Sequence, residues 1–330
     1  MKILVIGGTR FVGRHFVDAA LANGHKITLF NRGQSNADLY PGVENLRGDR
    51  TVDLSALDGR SWDVVVDTCG YVPRIVRMSA EKLANAVDRY LFISTISVYD
   101  VLKARDMDEE NSPLLTLEDP TVEEITGETY GGLKVLCEQA VEAVFPGRAL
   151  QVRPGMIIGP HDPTDRYTYW VVRAAQGSEI LVPGTPERPV QMIDGRDLGA
   201  GMLRMIEDGT TGIFNATGPE HPLTWRAWMQ SCADAAGTQP TFTYLSDEFL
   251  TEHEVNGGDL PFWVSAEYEN IFAVSVERAK NAGMSFRPSA ESGRDTLAWR
   301  GAADVTALKV GLKPEREAEL LAAWHQQEES

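Results

Sequence analysis

The chain of 330 residues is poor in cysteine: only Cys69, Cys137 and Cys232 occur, and no two stand at CxxC or zinc-ligand spacing. That scarcity speaks against a disulfide framework or a thiolate metal centre and fits a reducing, cytoplasmic setting. Histidine is scarce as well, six residues without HExxH or a close pair, so no metal is expected. No apolar run reaches membrane length. The apolar stretch Ile3 to Ile6 meets glycines at once, without the longer apolar region and cleavage site of an export signal. Positive charge is in deficit, 31 Lys+Arg against 48 Asp+Glu, and the net charge of −17 repels a phosphate backbone unless a local basic patch overrides it. Nucleic acid and membrane are therefore not expected partners. A G-x-S-x-G elbow is also missing, which leaves Ser-His-Asp chemistry without support.

What remains is a globular composition, 43% hydrophobic and 24% charged, on a chain longer than one core usually organises. Short apolar runs at residues 2–6, 26–30, 43–47, 63–67, 90–94 and 150–153 alternate with amphipathic segments of helical length at 12–23, 77–88 and 130–145. This alternation predicts α/β architecture, a Rossmann-type doubly wound parallel sheet with a smaller C-terminal substrate lobe. Residues 1–155 are expected to form the dinucleotide-binding domain, with return segments near 190–216, and 156–330 to be mainly substrate lobe. The acidic stretch 100–129 shows no period and reads as a long loop of the kind that often serves as a lid. After Gly212 to Ala216 the sequence reads as irregular and Trp-rich, with Trp225, Trp228 and Trp263 expected to pack that lobe, and residues 315–330 read as a terminal helix.

The turn Gly7-Gly8-Thr9-Arg10-Phe11-Val12-Gly13 follows the first strand and opens the first helix. Backbone N–H groups and the helix dipole at such a junction attract a pyrophosphate, and its placement in a strand-turn-helix-strand unit supports dinucleotide binding. Where an NAD site usually offers a carboxylate to the ribose, this chain has Asn31-Arg32-Gly33. Arg32, with Arg10, suits a 2′-phosphate. NADP(H) is thus preferred, NAD(H) being the alternative, and Asp49 and Arg50 are expected beside the adenine. Tyr130 and Lys134 stand at i and i+4, sharing a helix face where an ammonium lowers a phenol toward proton exchange with an alcohol or carbonyl.

Together with the Ser94-Thr95-Ile96-Ser97-Val98-Tyr99 segment, these residues resemble the extended short-chain dehydrogenase/reductase family, which includes sugar-nucleotide epimerases and dehydratases. The resemblance covers most of the chain: the phosphate loop, the Tyr130/Lys134 pair, Arg153-Pro154 with Gly159-Pro160, and the segment from Met192 to Leu198. It implies that Thr95 holds the substrate oxygen, Tyr130 transfers the proton, and Lys134 binds the nicotinamide ribose while tuning Tyr130. It also implies that Cys69, Gly70 and Pro154 lie by the cofactor. Arg10, in place of the middle glycine, is similar to an atypical branch containing chloroplast stem-loop RNA-binding proteins, so an RNA-binding or cofactor-sensing protein is the rival to an enzyme.

For the substrate, Ser97, Tyr99, Met156, Tyr169, Trp170 and Arg188 are the candidates. Met156 replaces the asparagine, and Val190 the arginine, with which the family's sugar-nucleotide members hold a diphosphate. Arg188 lies two residues before Val190 and could compensate by a bent approach. A small neutral alcohol or ketone is the first expectation and a nucleotide sugar the second. A homodimer is an open option for assembly.

Overall fold

A computed structural model describes residues 1–219, 221, 223–301 and 304–328; Glu329 and Ser330, the end of the expected terminal helix, lie outside them. The chain divides into two compact units, the first made of Met1–Gly155, Gly195–Gly218 and Val274–Ser285, the second of Met156–Asp194, Pro219–Ala273 and Phe286–Ser330.

The first unit is built on β1 (Lys2–Ile6), β2 (Lys26–Asn31), β3 (Glu44–Arg47), β4 (Trp62–Asp67), β5 (Val87–Ile93) and β6 (Ala149–Pro154). With the strand Gly212–Ala216 they form one seven-stranded sheet, ordered from that last strand through β6, β5, β4, β1 and β2 to β3, all neighbours parallel. The central strands are apolar on both faces, Ile3 to Ile6 and Val64 to Val66 being fully enclosed, as a parallel sheet covered by helices demands. The order reverses between β1 and β4, the switch point at which such sheets bind ligands. Helix α1 (Phe11–Ala22) packs with the helix Gly195–Glu207, and α2 (Pro73–Leu83) with α3 (Tyr130–Val144).

α2 starts four residues earlier than the periodicity suggests. Pro73 sits in its first turn with φ already helical, and Val87 and Asp88, read as its end, belong to β5, where Val87 pairs with Trp62. The acidic segment 100–129 is irregular but docked. Leu115 N–H donates to Val98 O at 2.8 Å, Asp100 N–H to Pro113 O at 2.9 Å, and Ser275 N–H to Met107 O at 2.8 Å.

The second unit holds three two-stranded sheets and a dense aromatic core. Trp170 meets Trp225 and Trp228 edge-on at 5.2 and 5.8 Å, and Tyr167 stacks on Trp228 at 6.2 Å. This corrects the expectation for Tyr169 and Trp170: both are fully enclosed, and Trp170 Nε1 donates to Pro261 O at 2.8 Å. They build the core, because the helix Arg166–Ala175 is enclosed all round, Tyr167 to Ala174 being buried without a break, and its large aromatics are the apolar surface this small unit has to bury. The stretch read as irregular contains real helices, Trp225–Ala236 and Ser289–Arg300, while the expected terminal helix is there as Pro314–Glu328. The first is bounded by the Thr224 cap, whose Oγ1 accepts from Ala227 N–H, and by Gly237 in the left-handed conformation.

Within the first unit, a buried ion pair fixes α3 to the sheet. Arg153 on β6, 1% exposed, donates to both carboxylate oxygens of Glu138 at 2.8 and 2.7 Å, and to the hydroxyl of Tyr99 at 2.9 Å. Tyr99 in turn donates to Asn215 Oδ1 at 2.7 Å, and Asn215 N–H to Glu109 at 2.8 Å. Truncating one partner strands the other charge in the interior. Glu138→Ala is expected to lose about 3–5 kcal/mol in urea denaturation, with Glu138→Leu/Arg153→Met recovering most of it. A loss under about 1 kcal/mol for the single variant would show that water reaches the pair.

Candidate active site

The site grows from the C-terminal ends of β1, β4 and β5. β1 runs into Gly7 at φ +100° and Gly8 at φ +87°. A Cβ on Gly13 would lie 2.8 Å from Gly8 Cα, so α1 starts against bare backbone. Arg10 precedes that helix in extended conformation, and no side chain caps its first turn. The N–H groups of Phe11, Val12 and Gly13, at the positive end of a twelve-residue helix, are therefore left for an anion, and the glycine cradle fits a dinucleotide pyrophosphate. Thr9 is buried, while Phe11 takes the uncommon φ of +25° with its ring edge-on to His15.

At the end of β2 the Asn31 side chain is consumed by structure: its amide donates to Gly7 O at 3.1 Å, and its oxygen accepts from Gly33 N–H and from Arg47. These bonds occupy the side chain of a residue expected at the cofactor. Arg32 points outward, 60% exposed, 3.9 Å from Asp49 Oδ2. Asn36 donates to Thr9 O at 2.8 Å, tying the connection after β2 to the phosphate loop. Arg47, which lies under Gly33, escaped sequence reading because nothing in a strand-end arginine distinguishes it from a solvated cation.

Arg50 departs from its expected place beside an adenine. Its guanidinium turns inward onto Asp67 at 2.6 and 2.7 Å and onto Ser79 Oγ at 2.9 Å, and Tyr90 also donates to Asp67. Burial pushes the Asp67 carboxyl up, but the Arg50 charge and these hydrogen bonds hold it below its ordinary value. A carboxylate fully enclosed at the end of β4 needs such a partner, and Arg50 is the cation in reach.

Beyond Asp67, Cys69 N–H donates to its Oδ1 at 3.2 Å, and Gly70 O accepts from Lys134 Nζ at 2.7 Å. The same ammonium donates to Ile93 O, at the end of β5, at 2.6 Å and lies 4.1 Å from the centroid of the Phe92 ring. Lys134 is thus held between two strand ends, and its burial lowers it from its ordinary value to about 8. One turn earlier, at the first position of α3, is Tyr130, its ring 6.5 Å from that of Tyr71. A Cβ on the adjacent Gly131 would stand 2.2 Å from Ser97 O, so the start of α3 abuts the segment carrying Thr95 and Ser97. Thr95 Oγ1 accepts from Ser97 N–H and donates to Ser97 Oγ, both at 3.1 Å. Pro154 ends β6 opposite Ala216.

Two substrate candidates are corrected besides Tyr169 and Trp170. Tyr99 is buried with its hydroxyl shared between Arg153 and Asn215, which makes it a member of the internal network. Arg188, in the second unit, is buried and neutralised by Asp247 at 2.9 and 3.1 Å and Glu269 at 3.6 Å, and it also donates to Val264 O. Met156, half-buried in that unit, accepts from Arg166 at its sulfur. Among the described residues no His/Cys/Asp/Glu group could hold a metal ion, and no helix is long and apolar enough to cross a membrane.

A glycine cradle at a helix start, a switch-point sheet and a Tyr/Lys pair at its carboxyl edge define an enzyme of the nicotinamide-dependent short-chain dehydrogenase/reductase type. The family model for the NAD dependent epimerase/dehydratase family matches residues 3–76 and 60–216, and the chain belongs to that family. It is similar to the chloroplast stem-loop binding protein of 41 kDa b from Arabidopsis thaliana, 28% identical over 85% of this chain and 73% of that protein. It is also similar to 2′-dehydrokanamycin reductase from Streptomyces kanamyceticus, 24% identical over 72% and 67% of the two chains. Among solved structures, UDP-glucuronic acid 4-epimerase from Bacillus cereus in complex with NAD shares the fold, with a TM-score of 0.64 and 15% identity over 91% of this chain and 98% of that one.

The depressed Lys134 has a consequence for stability with a definite sign. Between about 8 and its ordinary 10.5 the folded chain binds fewer protons at this site than the unfolded chain, so stability from this group rises with pH across that window. Urea denaturation between pH 8 and 10 should therefore show a rising contribution in the wild type that Lys134→Met lacks. Equal slopes in the two proteins would place the lysine's titration elsewhere.

Proposed function

We propose that the protein is an NADP(H)-dependent oxidoreductase acting at an alcohol or ketone carbon of a small, uncharged molecule, with Tyr130 as proton donor and acceptor. The observation that carries this reading is Lys134, buried between the ends of β4 and β5 one helical turn from Tyr130. RNA binding has no use for a buried ammonium set one turn from a phenol, and cofactor sensing would use the ammonium but not the phenol.

The residues that would hold the dinucleotide are Gly7, Thr9, Phe11, Val12 and Gly13 at the pyrophosphate, Arg32 and Arg10 at a 2′-phosphate with Asp49 nearby, and Cys69, Gly70, Lys134 and Pro154 toward the nicotinamide. Bound there, the nicotinamide supplies reversible hydride transfer. Tyr130 exchanges a proton with the substrate oxygen, Lys134 keeps that phenol within reach of deprotonation, and Thr95 with Ser97 orients the oxygen. An uncharged substrate is favoured because Arg188 is already paired with two carboxylates, Val190 cannot pair with phosphate, and Met156 offers a thioether. A nucleotide sugar, the second reading, would have to displace Asp247 to recruit Arg188. The reductase named above is, by its name, an enzyme acting on 2′-dehydrokanamycin, which lends weight to a reductase rather than an epimerase.

Tyr130→Phe should keep cofactor affinity and lower turnover about 10²-fold or more, measured by NADPH oxidation over a panel of ketones. Turnover near that of the wild type would remove Tyr130 from the chemistry. Arg32→Ala should weaken NADPH by about 1.5 to 3 kcal/mol in calorimetry while sparing NADH. Equal losses for both cofactors would refute the phosphate assignment.

A further inference from the structure

Tyr71 was no part of the sequence reading, yet it stands beside the Tyr/Lys pair. Its backbone is fixed on both sides of the turn after β4: Cys69 N–H is held by Asp67, Gly70 O by the Lys134 ammonium, and Val72 and Pro73 open α2. On this rigid mount the side chain is 45% exposed, although its neighbours Gly70 and Val72 are buried. The ring centroid lies 6.5 Å from that of Tyr130, the planes inclined by 38°, and 5.5 Å from Lys134 Nζ. Its hydroxyl takes no hydrogen bond among the described residues, so the ring face rather than the phenol is what Tyr71 offers.

An exposed aromatic ring that neither packs a core nor bonds through its hydroxyl leaves apolar area in water for the protein's own folding. Burial raises the Tyr71 phenol while the charge of Arg10, close enough to act on it, lowers it; the other cations nearby are occupied. The ammonium of Lys134 is spent on two carbonyls, and Arg74 at the start of α2 is paired with Glu123 at 2.7 and 3.0 Å. That pair brings the chain carrying Ile125, itself half exposed, alongside the same helix start. A flat apolar face next to a proton donor discriminates by shape: a six-membered saturated ring lays a row of C–H bonds on it while holding one ring oxygen substituent toward Tyr130, whereas an open chain must be ordered first.

We propose that Tyr71 is a specificity-determining residue whose ring face receives an uncharged alicyclic or sugar-like ring carrying the reacting oxygen. This rests on Tyr130 being the proton donor, and the test separates the two ideas. Saturation-transfer NMR on the protein with saturating NADP⁺ gives dissociation constants for 2-decalone and for 2-decanone, a bicyclic and an open-chain ketone of equal carbon count. The wild type and Tyr71→Phe should prefer the bicyclic ketone by about 3- to 10-fold, the scale of one good ring contact, and Tyr71→Ala should lose the preference. Tyr130→Phe should keep it, since that variant loses proton transfer and not ring binding. Equal affinity for the two ketones in the wild type, binding of neither, or a preference that survives Tyr71→Ala overturns the proposal. So does a Tyr71→Ala variant whose NADP⁺ affinity falls instead, because the ring would then serve the cofactor. Full turnover in Tyr130→Phe would sink the proton-donor reading while leaving the ring preference intact to be read.

Discussion

The Arg153–Glu138 pair is the interaction on which the first unit depends. Tyr130, Lys134 and Glu138 follow one another at four-residue intervals down a single face of α3, so one helix carries the phenol proposed as proton donor, the ammonium one turn on and the carboxylate that locks the helix in place. Because Arg153 ends on β6 and its guanidinium also reaches Tyr99, the lock extends to the segment after β5 and, through Asn215, to the outermost strand of the sheet. A buried pair of this kind adds little net stability compared with apolar residues of the same size. What it supplies is a geometry in which α3 has one register on the sheet, and a site that works by hydrogen-bond distances needs that.

A second buried ion pair, Arg50 with Asp67, plays the matching part under the phosphate loop. It fills the space below the end of β4, and through Cys69 it fixes the turn that presents Gly70 to Lys134. In a chain with a net charge of −17, these two enclosed carboxylates, Asp67 and Glu138, are each matched by an arginine of their own.

Most of the first unit was legible in the sequence, because β1, β2, β4 and β6 are enclosed on both faces and read as short apolar runs bounded by turn residues. The glycine turn and the Tyr130/Lys134 spacing were legible for a related reason, since close backbone approach and a shared helix face leave a fixed pattern in the chain. What escaped was side-chain direction. Arg50 and Arg32 look alike as loop cations, and only the enclosed Asp67 determines that one turns inward. Tyr169 and Trp170 looked like ligand platforms because nothing local distinguishes an aromatic on the buried face of a helix from one facing a substrate. Tyr71 was invisible because its partners come from α3, some sixty residues on.

The helix that carries the site begins Tyr130-Gly131-Gly132, with Leu115 and Leu117 of the docked acidic segment filling the space that side chains would occupy. Two glycines weaken a helix start by about 0.5–1 kcal/mol each relative to alanine, so this turn has little cohesion of its own and borrows it from the leucines lying over it. Its free energy of opening is then that of lifting the segment, which makes one cooperative unit of two stretches of chain that no regular secondary structure joins. Amides in the first turn of α3 and in residues 114–117 would then exchange with solvent together, at a rate set by the acidic segment.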